Sequence, residues 1–94
     1  MPEMIFRVRW PDGSLSDCYS PSLVIRDHLR AGERYRLDDF ARISRAALTI
    51  ASARVAAIHG FPCARALRQI AAIDTAAARF AGRADATVDV VAFL

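Results

Sequence analysis

Residues 3–10 alternate with a period of two: Met4, Phe6, Val8 and Trp10 on one side, Glu3, Ile5, Arg7 and Arg9 on the other. A pleated strand sends successive side chains to opposite faces, so this stretch predicts a half-buried strand with one apolar face. Pro11-Asp12-Gly13 follows at once. Proline presets φ and glycine accepts positive φ, so the chain turns there. Residues 14–19 then return as a more polar strand, with Leu15 and Tyr19 alternating around Asp17, and the pair reads as a hairpin.

The middle of the chain reads as helix. Ser20-Pro21 offers an N-cap followed by proline at the first helical position, which predicts a short helix from that point. Leu23, Val24 and Leu29 would face inward, and Ala31-Gly32 would stop it. After a linker through Tyr35, Leu37-Asp38-Asp39 opens a longer helix, with Asp38 as its cap and Asp39 against the positive end of the dipole. Phe40, Ile43, Ala47, Ile50, Ala51 and Ile58 recur at helical spacing as its core stripe, and Gly60-Phe61-Pro62 ends it. A third helix is expected from about Ala64 to Phe80, burying Leu67, Ile70, Ile73, Ala77 and Phe80. Arg65, Arg68 and Arg79 would project on its opposite side.

Residues 86–93 are rich in β-branched side chains and predict a closing strand. The order is therefore ββαααβ, an α+β fold. Three strands cannot enclose a core alone, so three helices should cover one face of a three-stranded sheet. The closing strand is expected beside the first, making that strand central. Arg7 and Arg9 would then emerge on the open face, where Ile5, Val91 and Phe93 would form an apolar patch suited to a homodimer. A one-residue slip in register would reverse that assignment. With no linker, repeat or low-complexity segment, residues 1–94 are expected to form one domain.

A hydrophobic fraction of 54% suffices for one core, although alanine inflates it and buries little area per residue. No apolar run approaches the ~18 residues a membrane span needs, so no membrane association is expected. The N-terminus enters a strand without a basic segment and an apolar stretch behind it, which points to the cytoplasm. Every basic side chain is an arginine, a bias that GC-rich coding accounts for. The net charge is only +3, and the surplus falls in the middle, where residues 38–83 hold seven Arg against three Asp. Such a surplus could steer an acidic partner or simply solvate a helix surface.

Cys18 and Cys63 lie far apart without CxxC spacing and are expected to be reduced. With His28 and His59 they make four scattered ligands, which do not suggest zinc. There is no Gly-rich phosphate loop and no Ser-His-Asp signature, so no cofactor is expected. The helical turn is followed by alanines rather than base-reading polar residues, which argues against nucleic acid.

Candidate functional residues gather around the strand-to-helix handover. Cys18-Tyr19-Ser20 sits where a helix N-terminus would lower a nearby thiol's pKa, and His28 lies one helix away as a possible base. Against a Cys18–His28 catalytic pair, no local sequence marks either residue, and cysteine is commonly a small buried side chain. Cys18, Tyr19, Ser20 and Ser22 with Arg26, His28 and Tyr35 form the expected binding surface. Arg54 and Asp74 fall within apolar arcs of the second and third helices, where charges are rare unless paired; they either pair or lie at the solvent edge.

Taken together, Phe6-Arg7-Val8-Arg9-Trp10-Pro11-Asp12-Gly13, Cys18-Tyr19-Ser20-Pro21-Ser22, Arg26-Asp27-His28-Leu29, Ala46-Ala47-Leu48-Thr49-Ile50-Ala51-Ser52 and Gly60-Phe61 resemble a small nitrogen-starvation response family first recognised in mycobacteria. The resemblance spans nearly the whole chain. It implies a setting in nitrogen scavenging, beside a gene cluster for a nitrilase, an acetyltransferase, a radical-SAM protein and a flavoprotein. It brings no activity and no catalytic residues. The leading expectation is a non-enzymatic accessory or adaptor protein that binds a partner enzyme of such a cluster. The alternatives are a small-ligand sensor, with arginines holding an anionic nitrogen metabolite between sheet and helices, and a small thiol enzyme using Cys18 and His28.

Overall fold

The computed structural model describes residues 2–94. The chain forms β1 (Met4–Arg9), β2 (Leu15–Ser20), α1 (Ile25–His28), β3 (Arg34–Arg36), α2 (Leu37–His59), α3 (Ala64–Phe80) and β4 (Thr87–Phe93). The strands pair antiparallel in the order β2-β1-β4-β3. The fold is α+β with three helices, and β1 is central beside the closing strand, but the sheet has four strands rather than three. The extra strand, β3, lies in the stretch expected to be a linker. Three residues are too few for alternation to register, and pairing makes the strand: Arg34 lies opposite Asp89, Tyr35 opposite Val88 and Arg36 opposite Thr87.

The β1–β2 turn follows from its sequence. Gly13 adopts φ 87°, and its N–H donates to the Trp10 carbonyl at 2.9 Å. Asp12 Oδ1 accepts from the Ser14 N–H at 2.9 Å and from its hydroxyl at 2.6 Å. That hydroxyl first, and then the N–H, hold the Asp12 carboxyl below its usual range.

Met4, Phe6, Val8 and Trp10 are all buried on the helix side of the sheet, as their alternation predicts. They meet Phe40, Ala47 and Leu48 of α2 and Ile73 and Phe80 of α3. The Trp10 ring stands edge-on to Phe40 at 5.7 Å and lies over Phe80 at 6.3 Å, while its Nε1–H donates to Ser16 Oγ at 2.8 Å. Burying one such large side chain stabilises the fold by about 1.5–3 kcal/mol.

A β-bulge decides the phase of β4. The register slips between Arg7 and Val8, so that Val8 faces Val90, Arg7 faces Ala92 and Phe6 faces Phe93. Val88 and Val90 are buried, and Phe93 packs against the core instead of the open face expected for it. Val91, the residue left over, emerges. The open face is consequently more ionic than apolar: Arg7 holds Asp17 through two hydrogen bonds of 2.7 and 3.1 Å, and Arg34 holds Asp89 through two of 2.7 and 3.4 Å.

Two helix starts differ from expectation. Ser20 ends β2, and residues 21–24 form a turn, so α1 begins only at Ile25 and lasts one turn. Leu23 emerges from that turn, while Val24 and Leu29 are buried. The stop is Leu29, in extended backbone, rather than Ala31-Gly32. At α2, Arg36 occupies the cap position with no side-chain cap, and Asp38 Oδ1 accepts instead from the Asp39 N–H at 3.0 Å. The Leu37 N–H, one of the donors a helix start leaves free, donates to the Ala86 carbonyl at 3.0 Å and ties α2 to the start of β4. Gly60, at φ 84°, closes α2 as expected.

A 23-residue helix is about 34 Å long, whereas a strand of six residues covers about 20 Å. The helical hairpin therefore overhangs the sheet, in a chain measuring 41 × 23 × 17 Å. The last buried residue of α2 is Ser52 and the first of α3 is Ala66. Ile58, expected in the core stripe, is 63% exposed because nothing packs beneath it, whereas Ile50 and Leu67, 39% and 49% exposed, lie on the flanks of their stripes beside buried Ala51 and Ala66. Among the described residues no helix is long and apolar enough to cross a membrane.

Candidate functional site

The handover from β2 to α1 is built as a buried turn. The Ser20 hydroxyl donates to the Ser22 carbonyl at 2.7 Å, the Ser22 N–H donates back to Ser20 Oγ at 3.3 Å, and Val24 N–H donates to Ser22 Oγ at 3.3 Å. Ser20 and Ser22 are thereby consumed and buried. Cys18 lies opposite Phe6 on the core side, 1% exposed. Burial first, and then the charge of Asp17, push its thiol up to about 12. This is the reverse of the lowering expected at a helix N-terminus, because the helix starts seven residues later and the sulfur points into the core. His28 is exposed on α1.

The seven residues expected to form one surface are thus divided. Cys18, Ser20 and Ser22 are interior, whereas Arg26 and His28 remain exposed on α1. Tyr35 closes the loop before β3: its hydroxyl accepts from Arg30 N–H at 2.9 Å and donates to Glu33 Oε2 at 3.2 Å. Tyr19 lies on the far side of the sheet from Cys18. Its hydroxyl donates to Glu3 Oε2 at 2.9 Å, and the Arg65 guanidinium stacks 3.7 Å from its ring centroid. Desolvation, followed by the bond to Glu3, raises that phenol to about 12. The Tyr19 N–H donates to Gln69 Oε1 at 2.9 Å, so a side chain of α3 covers one free amide of an edge strand.

Of the two outcomes expected for Arg54 and Asp74, mutual pairing is not formed, and Arg54 takes the solvent-edge placement. Asp74 pairs with Arg45, one element away on α2, and Arg54 stays in solvent. Arg54 lies nine residues beyond Arg45 on α2, about 13 Å along the helix, and so is out of level with Asp74.

Two features remain that could bind something. The first is the overhanging end of the hairpin, residues 53–65, which contains no buried residue. Ile58 and Phe61, the latter 67% exposed, stand out on it beside Leu67. No acid occurs between Asp39 and Asp74, and five arginines do. Arg42 and Arg45 are paired with those flanking acids and Arg65 lies 3.7 Å from Glu3; among the described residues Arg54 and Arg68 have no ion-pair partner. The end of the hairpin is therefore apolar and basic.

The second is a cavity of about 500 Å³ at the opposite end, where β3 runs into α2 and α3 runs out toward β4. Its wall is low because Ala77, Ala78, Ala81 and Ala86 carry no atoms past Cβ. Arg36 and Arg83 supply guanidinium groups at its rim, and Asp38 and Asp85 carboxylates. Arg83 is placed by the Phe80 ring, 5.0 Å below its guanidinium carbon. Sequence reasoning missed this cavity, since its residues come from two distant segments, 36–38 and 77–87, which the Arg36–Thr87 strand pairing and the Leu37–Ala86 hydrogen bond bring together.

As for metals, among the described residues no three His, Cys, Asp or Glu side chains are grouped to hold an ion.

Comparison with known proteins adds the setting. No match was found among curated proteins or among solved structures. A family model described as nitrogen starvation-induced protein NitG matches residues 5–93, nearly the full length and including both the Trp10-Pro11-Asp12-Gly13 turn and the Cys18–Ser22 segment. The chain belongs to this family of nitrogen starvation-induced proteins.

Proposed function

We propose that this protein is a non-enzymatic accessory protein of nitrogen scavenging, which acts in the cytoplasm by binding a partner enzyme. The observation that carries the reading is the end of the hairpin. Ile58, Phe61 and Leu67 are held in water on an arm that the sheet leaves uncovered. Exposed apolar residues grouped on one projection are costly to solubility and commonly mark an interaction surface. The free charges around them are basic, which suits an acidic partner and disfavours a like-charged copy of the same arm. Arg26 and His28 on α1 form a smaller alternative surface.

The experiment is an affinity capture from nitrogen-starved cells with three baits: wild type, Phe61→Ser and Arg26→Ala. The expected result is near-stoichiometric recovery of one enzyme by wild type and Arg26→Ala, lost with Phe61→Ser. Loss only with Arg26→Ala would move the surface to α1. A wild-type bait that retains no enzyme would retire the accessory reading.

A second reading, ligand sensing, draws on the arginine-rimmed cavity at the other end, whose volume of about 500 Å³ falls in the range of small-molecule sites. No observation favours the thiol enzyme, given the buried and un-ionised Cys18.

A further inference from the structure

We infer that the cavity between the start of α2 and the end of α3 binds a small amphoteric molecule, one carrying both a carboxylate and an ammonium group. The inference rests on the ligand-sensing reading and replaces the purely anionic ligand expected from the arginine content.

The argument starts with shape. Four alanines and Leu37 make an apolar floor, and the hollow exists because those side chains are short. The rim decides the chemistry. Arg83 extends from the loop after α3, is held above Phe80, and has no ion-pair partner among the described residues. A guanidinium presents paired N–H donors that match the two oxygens of a carboxylate. Arg36, from the other lining segment, lies 3.5 Å from Asp38 in an exposed and therefore weak pair. Such a pair exchanges readily with a ligand of mixed charge. Asp85 also lines the hollow and likewise has no cationic partner among the described residues.

Two guanidinium groups and two carboxylates around one cavity cancel in net charge. A simple anion would meet Asp38 and Asp85, and a simple cation would meet Arg36 and Arg83. A molecule bearing both charges satisfies both sides, with its carbon chain over the alanines. The cavity also spans the Leu37–Ala86 hydrogen bond that joins α2 to β4, so occupancy would bear directly on that joint.

The test is a ¹⁵N–¹H NMR titration of the full chain with three probes of one chain length: γ-aminobutyrate, butyrate and butylammonium. The expected result is saturating shifts at the amides of Leu37, Asp38, Ala86 and Thr87 with γ-aminobutyrate. Its Kd should be on the order of 1 mM, consistent with the affinity a ligand of about seven heavy atoms can reach. Butyrate and butylammonium should bind at least about tenfold more weakly. Arg83→Ala should abolish the shifts, and so should Ala78→Leu, which fills the hollow while keeping every charge and a helix-favouring side chain. Equal binding of butyrate would overturn the amphoteric assignment and leave ligand sensing standing. No localised shift with any probe, or shifts unchanged in both variants, would overturn the site and the sensing reading together.

Discussion

The two halves of the helical hairpin carry the same kind of sequence and meet different fates. From Phe40 to Leu48, and from Ile70 to Phe80, the apolar stripes of α2 and α3 rest on the sheet and on each other. From residue 53 to 65 the helices continue, with Ile58 and Phe61 in water. Periodicity is nearly uniform along α2, so it cannot report where the supporting layer ends. Helix rise and strand length do: the helix outruns the strands beneath it. An apolar stripe shows which face of a helix seeks cover, and the neighbouring elements decide whether it is found inside the molecule.

The sharpest way to break this contrast is to truncate one side chain in each half. Phe40→Ala should destabilise the fold by about 3–5 kcal/mol, read from urea or thermal denaturation, because it opens a cavity under Trp10. A loss below about 1 kcal/mol would show that the sheet-backed half is not the stabilising one.

The cysteines provide the next test, since one lies in each region. Cys63, half-buried at the start of α3, should alkylate with iodoacetamide in the native protein, while Cys18 should react only after unfolding, as mass spectrometry would count. The buried Cys18 also sets a pH dependence. Its folded-state pKa, raised to about 12, lies above that of an unfolded thiol, so below about pH 8 both states keep the proton and nothing is gained or lost. As pH rises further, the unfolded chain ionises first. Stability should then fall by up to about 1.4 kcal/mol per pH unit, and Cys18→Ala should remove that component. Fast native alkylation of Cys18 would contradict the core placement.

A smaller effect, of opposite sign, is expected from Ser44. It is buried on α2, and its hydroxyl has no hydrogen-bond partner among the described residues. Ser44→Ala removes an unsatisfied oxygen and inserts a better helix former, so it should stabilise by about 1 kcal/mol, raising Tm. A destabilised variant would mean that the hydroxyl is satisfied in solution.

The least effect belongs to the arm. Phe61→Ser should change stability by less than about 0.5 kcal/mol while affecting partner capture, since an exposed side chain makes little contact to lose. A large loss of stability would place Phe61 within a packed structure and remove the arm as a docking surface.

Much of this protein was legible in its residues. The alternation of Met4 to Trp10, the Pro11-Asp12-Gly13 turn, the helical span Ala64–Phe80 and the Gly60 stop depend on backbone geometry within one segment, and local geometry is written locally. The family was legible too, through the Trp10–Gly13 and Cys18–Ser22 segments. What the tertiary structure alone decided involves partners distant in the chain. β3 exists because β4 pairs with it; Phe93 turns to the core because one bulge shifts its phase; Asp74 takes Arg45 instead of Arg54 because the helices meet at that level. Cys18 and Ser20 became interior because the β1–β2 register sets them opposite the buried Phe6 and Met4, which withdrew them from the expected surface. The cavity has the same origin. Arg36, Arg83 and Asp85 are unremarkable in sequence, and they face one hollow because the end of α3 and the start of α2 are brought together at the head of β4.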